Sequence, residues 1–555
     1  MLFPRLLPLR ALFSTSSRPT ANDQIDHEPA SRIHSIDESI LPVLATPTTL
    51  KDSYTSPATT RAHSPITDLE TLPYEPTNGA DNQPVEKLTP STKNEDPRSA
   101  TATRERARRL ASYFIYFAIG WGDGVTGTVL PYFQKDYHLD YTIVSILFII
   151  AVIGIFIGTA IFEWLVTFWG RVAITSDTNA SRRLVICWTN RKPHYFSPTR
   201  GRAGALWTGI VIHAVFFAVA GSKRGFGSLL AAFVISGVGR ALMFGVLNDY
   251  IASLPTNLSV SCMVLGHILG LGGFAAPLVC QTIISSGINW SVFYLISLAW
   301  STMALGFAIL AFRRTSIEQE TELETATGIS SSMTSVEKGM ADSSLQSDRP
   351  NAQQPTGTLL ACFALPILWA FNVLLYFSSG GETSTNGFIA AYLLRERDAS
   401  SKVVGYYVSA HWAGFTISRV AMGFLSHRLA FRTVKRIVQG LMFSAMMLHL
   451  CIWLVGSLVA NVVFFGLIGL AIGPLFPTIV YLGIQLFPDH LRMVAIAIMS
   501  ASASLGSAVM PFVAGVLSNS PSAGPAIIPR MQLGVYGLMS IMWFFFPTCP
   551  KSSGA

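Results

Sequence analysis

Apolar runs long enough to cross a bilayer recur along the chain from Ala111 onward, and polar stretches separate them. A helix needs about 20 such residues to span a hydrocarbon core of about 30 Å. Spans are predicted at about 112–133, 141–168, 204–221, 226–252, 258–284 and 291–312. After a polar, Ser/Thr/Glu-rich segment at 313–357, further spans follow at about 358–379 (its outer end running on to 394), 402–425, 435–456, 458–482, 491–518 and 531–547. The layout is six helices, a linker and six helices, an all-α membrane protein of twelve transmembrane helices. A second polar segment, 170–203, separates the second and third spans, and residues 1–100 hold no spanning run and read as a disordered tail.

Composition agrees with this pattern. Half of the residues are hydrophobic and 13% are charged, with a mean hydropathy of +0.45, whereas soluble domains carry about 25% charged residues. The net charge of +8 reads as basic loops on one side of a membrane, not as nucleic-acid binding. Arg104, Arg106, Arg108 and Arg109, the 170–203 segment, Arg313, Arg314, the Arg428–Arg436 loop and Arg492 fall on one side if the N-terminus is inside. The other side keeps Lys135, Lys223, Arg224, Arg395, Arg397, Lys402 and Arg530. Both termini are therefore expected in the cytoplasm. The six cysteines are scattered without ligand spacing and read as packed or reduced thiols. The first twenty residues are basic and free of acids, as in a mitochondrial transit peptide, although Pro4, Pro8 and the acidic stretch after them argue against one. The plasma membrane is the expected location, with an organelle membrane kept open.

Charged and polar side chains inside the apolar runs are the candidate chemistry. Asp123 sits in the middle of the first span among Gly120, Gly122, Gly124 and Gly127. A charge at mid-bilayer depth costs at least ~2.5 kcal/mol, so it faces a protein interior or a water-filled cavity. The functional reading is proton coupling or solute binding; the alternative is a carboxyl satisfied by neighbouring backbone or Ser/Thr. Glu382 lies in the glycine-rich stretch Ser378–Gly387, which reads either as a broken helix lining a transport site or as an extracellular helix end. Asn248, Asn372, Tyr376 and Trp412 are further solute-binding candidates, and Asp249 is expected at the interface. His267 and Gln281 are polar residues within the fifth span, His267 being either a packing residue or a proton relay. Arg419 is expected to snorkel toward the cytoplasmic surface, His411 stands within reach of the outer cavity, and Gln485 is of lesser rank. Gly266, Gly270 and Gly273, with Ala501–Ser504 and Gly506–Ala508, read as close-packing faces. Walker, GxSxG, HExxH and metal-cluster motifs are not found, so neither an enzyme, a cofactor, a metal nor ATP-driven transport is expected.

The motifs carry a resemblance. Gly120-Trp-Gly-Asp-Gly-Val-Thr-Gly-Thr-Val-Leu-Pro131 with Val144–Phe148, the stretch Gly237–Tyr250 with its late Asn248, the spacing of His267, Gly273 and Pro277, Gly380–Gly387 with its glutamate, and Ile472-Gly-Pro-Leu-Phe-Pro477 resemble the major facilitator superfamily, in particular fungal transporters related to the fucose permease branch. The resemblance runs from about 112 to 547. It implies two pseudo-symmetric six-helix bundles, 112–312 and 358–547, joined by the cytoplasmic linker 313–357. It also implies alternating access for a small polar solute, with a sugar the family-level expectation, and a coupling acid at Asp123. The expected partners are a small-molecule solute, protons and the lipid bilayer, without nucleic acid, and the chain is expected to work as a monomer. Three alternatives stay open: a proton-driven exporter of drugs or metabolites with Asp123 binding a cation, a uniporter, and a nutrient receptor that does not transport. The chain departs from the family between spans two and three, where excising about 171–201 would restore an ordinary loop; the segment is an insertion or an unspliced intron in the gene model.

Overall fold

The computed structural model describes residues 97–173, 194–252, 258–315, 318–319, 322, 360–426, 428–488, 490–521 and 524–547. The expected tail at 1–96, most of the linker, residues 174–193 and the segment from 548 on lie outside the described residues.

The first span is two helices, α1 (Pro97–Gly124) and α2 (Thr126–Tyr137), meeting at Val125. Four helices follow with one short hairpin between them: α3 (Tyr141–Gly170), β1 (Arg171–Ala173), β2 (His194–Phe196), α4 (Pro198–Gly221), α5 (Phe226–Ala252) and α6 (Leu258–Ser285). The first half closes with α7 (Ser291–Phe312). The second half holds α8 (Pro366–Glu396), α9 (Val404–Ser426), α10 (Phe431–Leu454), the pair α11 (Leu458–Ile472) and α12 (Leu475–Ile484), α13 (Arg492–Ser518) and α14 (Ile527–Phe544). Among the described residues, eight helical stretches are long and apolar enough to cross a membrane by length and composition. The remaining four expected spans fall on α1–α2, α8, α9 and α14, which are helical and carry Asp123, Glu382, Arg419 and Arg530 within them.

Local chemistry sets several helix starts. Asp140 caps α3, its carboxylate accepting from the Ile143 N–H at 2.7 Å. Ser197 caps α4 with Pro198 in the first turn, where its missing N–H is not needed. The third span therefore begins six residues earlier than its hydropathy suggested. Ser197 N–H also donates to the Gly170 carbonyl at 2.8 Å, and Arg171–Ala173 pairs antiparallel with His194–Phe196. The predicted excision would remove this hairpin and the cap of α4.

The larger correction concerns α8. Ser378–Gly387 does not break the helix; α8 runs unbroken from Pro366 to Glu396. In lipid every backbone group must be bonded within its own segment, which outweighs the ~1 kcal/mol penalty of each helical glycine. Glu382 is thereby moved from an outer helix end to the middle of a span. The tenth span, by contrast, does break, at Gly473–Pro474.

Large apolar side chains such as Phe156, Trp164, Leu310 and Val459 point outward, as lipid-facing surfaces do. Three apolar clusters fill the interior. One lies wholly in the first half around Ile115, Leu206 and Leu247, and one almost wholly in the second half around Phe371, Trp412 and Tyr536. The third joins the halves: Phe133, Phe148 and Trp290 pack with Phe388, Ala391, Ala514 and Ile528. Polar bridges gather at the same end. Tyr132 donates to the Ser401 carbonyl at 2.7 Å, and Gln281 donates to the same carbonyl at 2.9 Å while accepting from Gly405 N–H at 2.8 Å. Gly127 is required there: a side chain at that position would strike the Asn386 carbonyl of α8.

The other end carries the basic cluster. Arg104 and Arg108 of α1 reach Glu318 at 3.0 and 2.8 Å, just beyond α7. Burial pushes the Glu318 carboxyl up, but the Thr315 N–H and the two guanidiniums outweigh it and hold it below the usual range. Glu322 accepts from Ser197 and Thr199, each at 2.6 Å, and from Arg314 at 2.9 Å. Part of the expected linker is thus tied to the starts of α1 and α4.

Candidate functional site

Two partly buried acid–arginine pairs lie beside the seam between the halves. Asp123, at the end of α1, pairs with Arg240 in the middle of α5. The two side chains are 32% and 16% exposed, although both belong to interior helix positions. A carboxylate that is both deep and wetted lines a cavity, because lipid cannot hydrate it. In the second half Glu382 of α8 faces Arg419 of α9, with Oε1 and Nη2 3.8 Å apart. Arg419 also donates from Nε to the Gly473 carbonyl at 2.8 Å and lies over the Phe415 ring at 4.0 Å. It therefore does not reach for the cytoplasmic surface; the expected snorkelling is replaced by a pair with Glu382 and the carbonyl exposed at the α11–α12 break.

Close packing fixes the relative height of these groups. Gly124, next to Asp123, is pressed against Gly273 of α6, whose other side meets the indole of Trp412. One turn along each helix from the two acids, Gly127 meets Asn386. Asp123, Glu382 and Trp412 thus belong to one level of the seam. Gly270 against Thr416 and Gly266 near Arg419 continue the contact between α6 and α9, as the small-residue spacing predicted.

The other predicted residues are more dispersed. Asn248 accepts from the Tyr116 hydroxyl at 2.5 Å, two turns beyond Arg240 on α5. Asp249 is half-exposed and pairs with Arg202 at 2.7 Å. Asn372 is buried with its Oδ1 unpartnered among the described residues. The Tyr376 ring packs edge-on against Phe377, and its carbonyl abuts Gly506. Gln281 is a strut between the halves. His411 is fully buried, its Nδ1 at 2.9 Å from the Phe465 carbonyl, which removes it from the outer cavity. His267 lies in α6, and its side chain is outside the described residues.

Two residues escaped the sequence reading. Arg240 sits in Gly237-Val-Gly-Arg-Ala-Leu-Met243, as deep in its apolar run as Asp123 is in its own, and the same rule that singled out the acid applied to it. His213 of α4 is buried with Nε2 unpartnered among the described residues, and its ring closes on Gly122 one residue from Asp123. Among the described residues no group of three His, Cys, Asp or Glu side chains could hold a metal ion.

Comparison with known proteins gives three findings. The Saccharomyces cerevisiae protein named bypass of stop codon protein 6 is 21% identical over 453 residues, covering 79% of this chain and 82% of its own. A crystal structure of the E. coli fucose:proton symporter aligns with 79% of this chain and 98% of its own at 13% identity and a TM-score of 0.49. Residues 373–554 match the family model described as Major Facilitator Superfamily. That match falls on the second half of the chain, and there the all-α protein, with helices long and apolar enough to cross a membrane, is similar to the Major Facilitator Superfamily.

Proposed function

We propose that the protein is a secondary transporter that moves a small polar solute together with protons by alternating access. The observation that carries this reading is the Asp123–Arg240 pair, deep in the bundle yet wetted. Ionised, Asp123 holds the guanidinium. Protonated, it releases Arg240 to bind solute, so proton uptake and solute binding act on one pair of side chains. Glu382 and Arg419 supply the matching pair on the other wall, with Trp412, Tyr376, Asn372, Asn248 and His267 as further solute contacts. Residues 112–312 and 358–547 rock against one another as two six-helix bundles. With the N-terminus in the cytoplasm of a plasma-membrane protein, the sealed end bearing Gly127 and Asn386 is the outer one, and the conformation faces inward.

Arg240 weighs against the exporter alternative, because a cationic drug at Asp123 would have to displace or repel a guanidinium already there. The test is uptake of a solute panel into proteoliposomes with and without an imposed pH gradient, for the wild type and Asp123→Asn. Gradient-driven uptake lost in Asp123→Asn is the expected result. Uptake that keeps its gradient dependence in that variant refutes the coupling role, and a panel with no uptake favours a receptor.

A further inference from the structure

We propose that the solute is a small organic anion, a monocarboxylate, bound by Arg240 when Asp123 carries the proton, and that the two cross together without net charge. This rests on the proton-coupled reading above and adds the substrate class.

Charge balance is the first argument. Among the described side chains, those charged at the seam are Asp123 and Arg240 from α1 and α5, and Glu382 and Arg419 from α8 and α9, two of each sign. His213 of α4, whose ring lies against Gly122 one residue before Asp123, is a further titratable group among the described side chains there. These four charges sum to zero before a proton or a solute is added. A proton on Asp123 strands the Arg240 charge where an unpaired ion is strongly disfavoured. A neutral solute leaves that imbalance in place. A carboxylate removes it, so proton and anion each favour the binding of the other.

Donor geometry is the second argument. Arg240 uses Nη1 toward Asp123, while its Nε is buried without a partner among the described residues. A guanidinium presents its donors as a planar fork that matches the two oxygens of a carboxylate. Arg419 is committed differently, through Nε to Gly473 and through its face to Phe415. The free donor and the releasable charge coincide on Arg240 alone of the two.

The step balances simply. On one side of the membrane the Asp123 carboxylate takes a proton and its bond to Arg240 breaks. The incoming carboxylate then accepts from Nε and an Nη of Arg240. On the other side the anion leaves, Asp123 loses its proton and the original pair re-forms. One proton and one negative charge cross per cycle.

The experiment uses the full-length protein in proteoliposomes with radiolabelled three- to six-carbon monocarboxylates, each paired with the amide or polyol of the same skeleton. An inward pH gradient should raise uptake of at least one carboxylate more than tenfold over its neutral partner, and a valinomycin-set potassium potential should leave that uptake unchanged. Asp123→Asn should still exchange labelled for unlabelled carboxylate but no longer follow the gradient. Arg240→Gln should lose carboxylate uptake more than tenfold, and Arg240→Lys should recover part of it. The double variant Asp123→Asn/Arg240→Gln keeps the site neutral and controls for folding, and it should also fail to take up carboxylate. Gradient-driven uptake of neutral skeletons in preference to carboxylates, or uptake that speeds with an inside-negative potential, overturns the anion proposal while proton coupling stands. Gradient-driven uptake of no solute in the panel overturns both.

Discussion

Removing Arg240 should expose how much Asp123 depends on it. In Arg240→Gln the carboxylate is left at depth without its counter-charge. Breaking a fully buried pair costs about 3–5 kcal/mol. Here the carboxylate is 32% exposed, so water recovers part of that loss, and about 2–3 kcal/mol is expected at pH 7. A separate bound comes from protonation. An aspartate that ordinarily titrates near 3.9 can take a proton at pH 7 for about 4 kcal/mol, at ~1.36 kcal/mol per pH unit, so the penalty cannot exceed that. At pH 5 the same ceiling is about 1.5 kcal/mol. The instability of Arg240→Gln should therefore shrink on acidification. Asp123→Asn should be destabilised too, by its unpaired guanidinium, and with no such relief at pH 5. The double variant should recover about 2 kcal/mol of the summed losses. Unfolding in mixed micelles titrated with dodecyl sulfate, at pH 7 and pH 5, reads all four proteins. Additive single losses, or a penalty independent of pH in Arg240→Gln, would refute the pairing.

Three further outcomes follow from the packing. Gly127→Val should wedge α2 away from the Asn386 carbonyl, raise maleimide labelling of a cysteine placed at Thr128 at least tenfold over its parent, and cut transport below a tenth. Spin labels on Arg106→Cys and Gln319→Cys should report one short, narrow distance at neutral pH. Because the Glu318 carboxyl is held below its ordinary value, its contribution is complete above about pH 4.3 and is lost as pH falls through the folded value, so the distance should broaden in acid and do so at all pH values in Glu318→Gln. Glu322→Ala leaves Ser197, Thr199 and Arg314 without that acceptor and should speed trypsin cleavage at Arg314 severalfold, as read on a gel time course.

The spans were legible because a bilayer imposes one length and one polarity on each, and 226–252 and 291–312 were placed to the residue. Asp123 was legible for the same reason, as an exception to that polarity. Glu382 was recognised but set at the wrong depth, because glycine propensity is a local property and backbone satisfaction in lipid is not. Arg240 was missed although its depth in an apolar run was itself a signal; only its partner, Asp123 on another helix, could not be read from the sequence. The pairing of Glu318 and Glu322 with the ends of α1 and α4 had no sequence signal, since it joins residues more than a hundred positions apart across loops.

The break at Val125 divides the first span between two allegiances. α1 is pressed against α6 of its own half through Gly124 and Gly273, while α2 is pressed against α8 of the other half through Gly127 and Asn386. Any separation of the halves at that end must therefore be absorbed as torsion in the few peptide units between those two anchors. Asp123 stands immediately before the first of these anchors. The carboxylate sits beside this joint, so a substitution that stiffens or loosens residues 124–127 is expected to disturb the Asp123–Arg240 contact together with the contact between the halves.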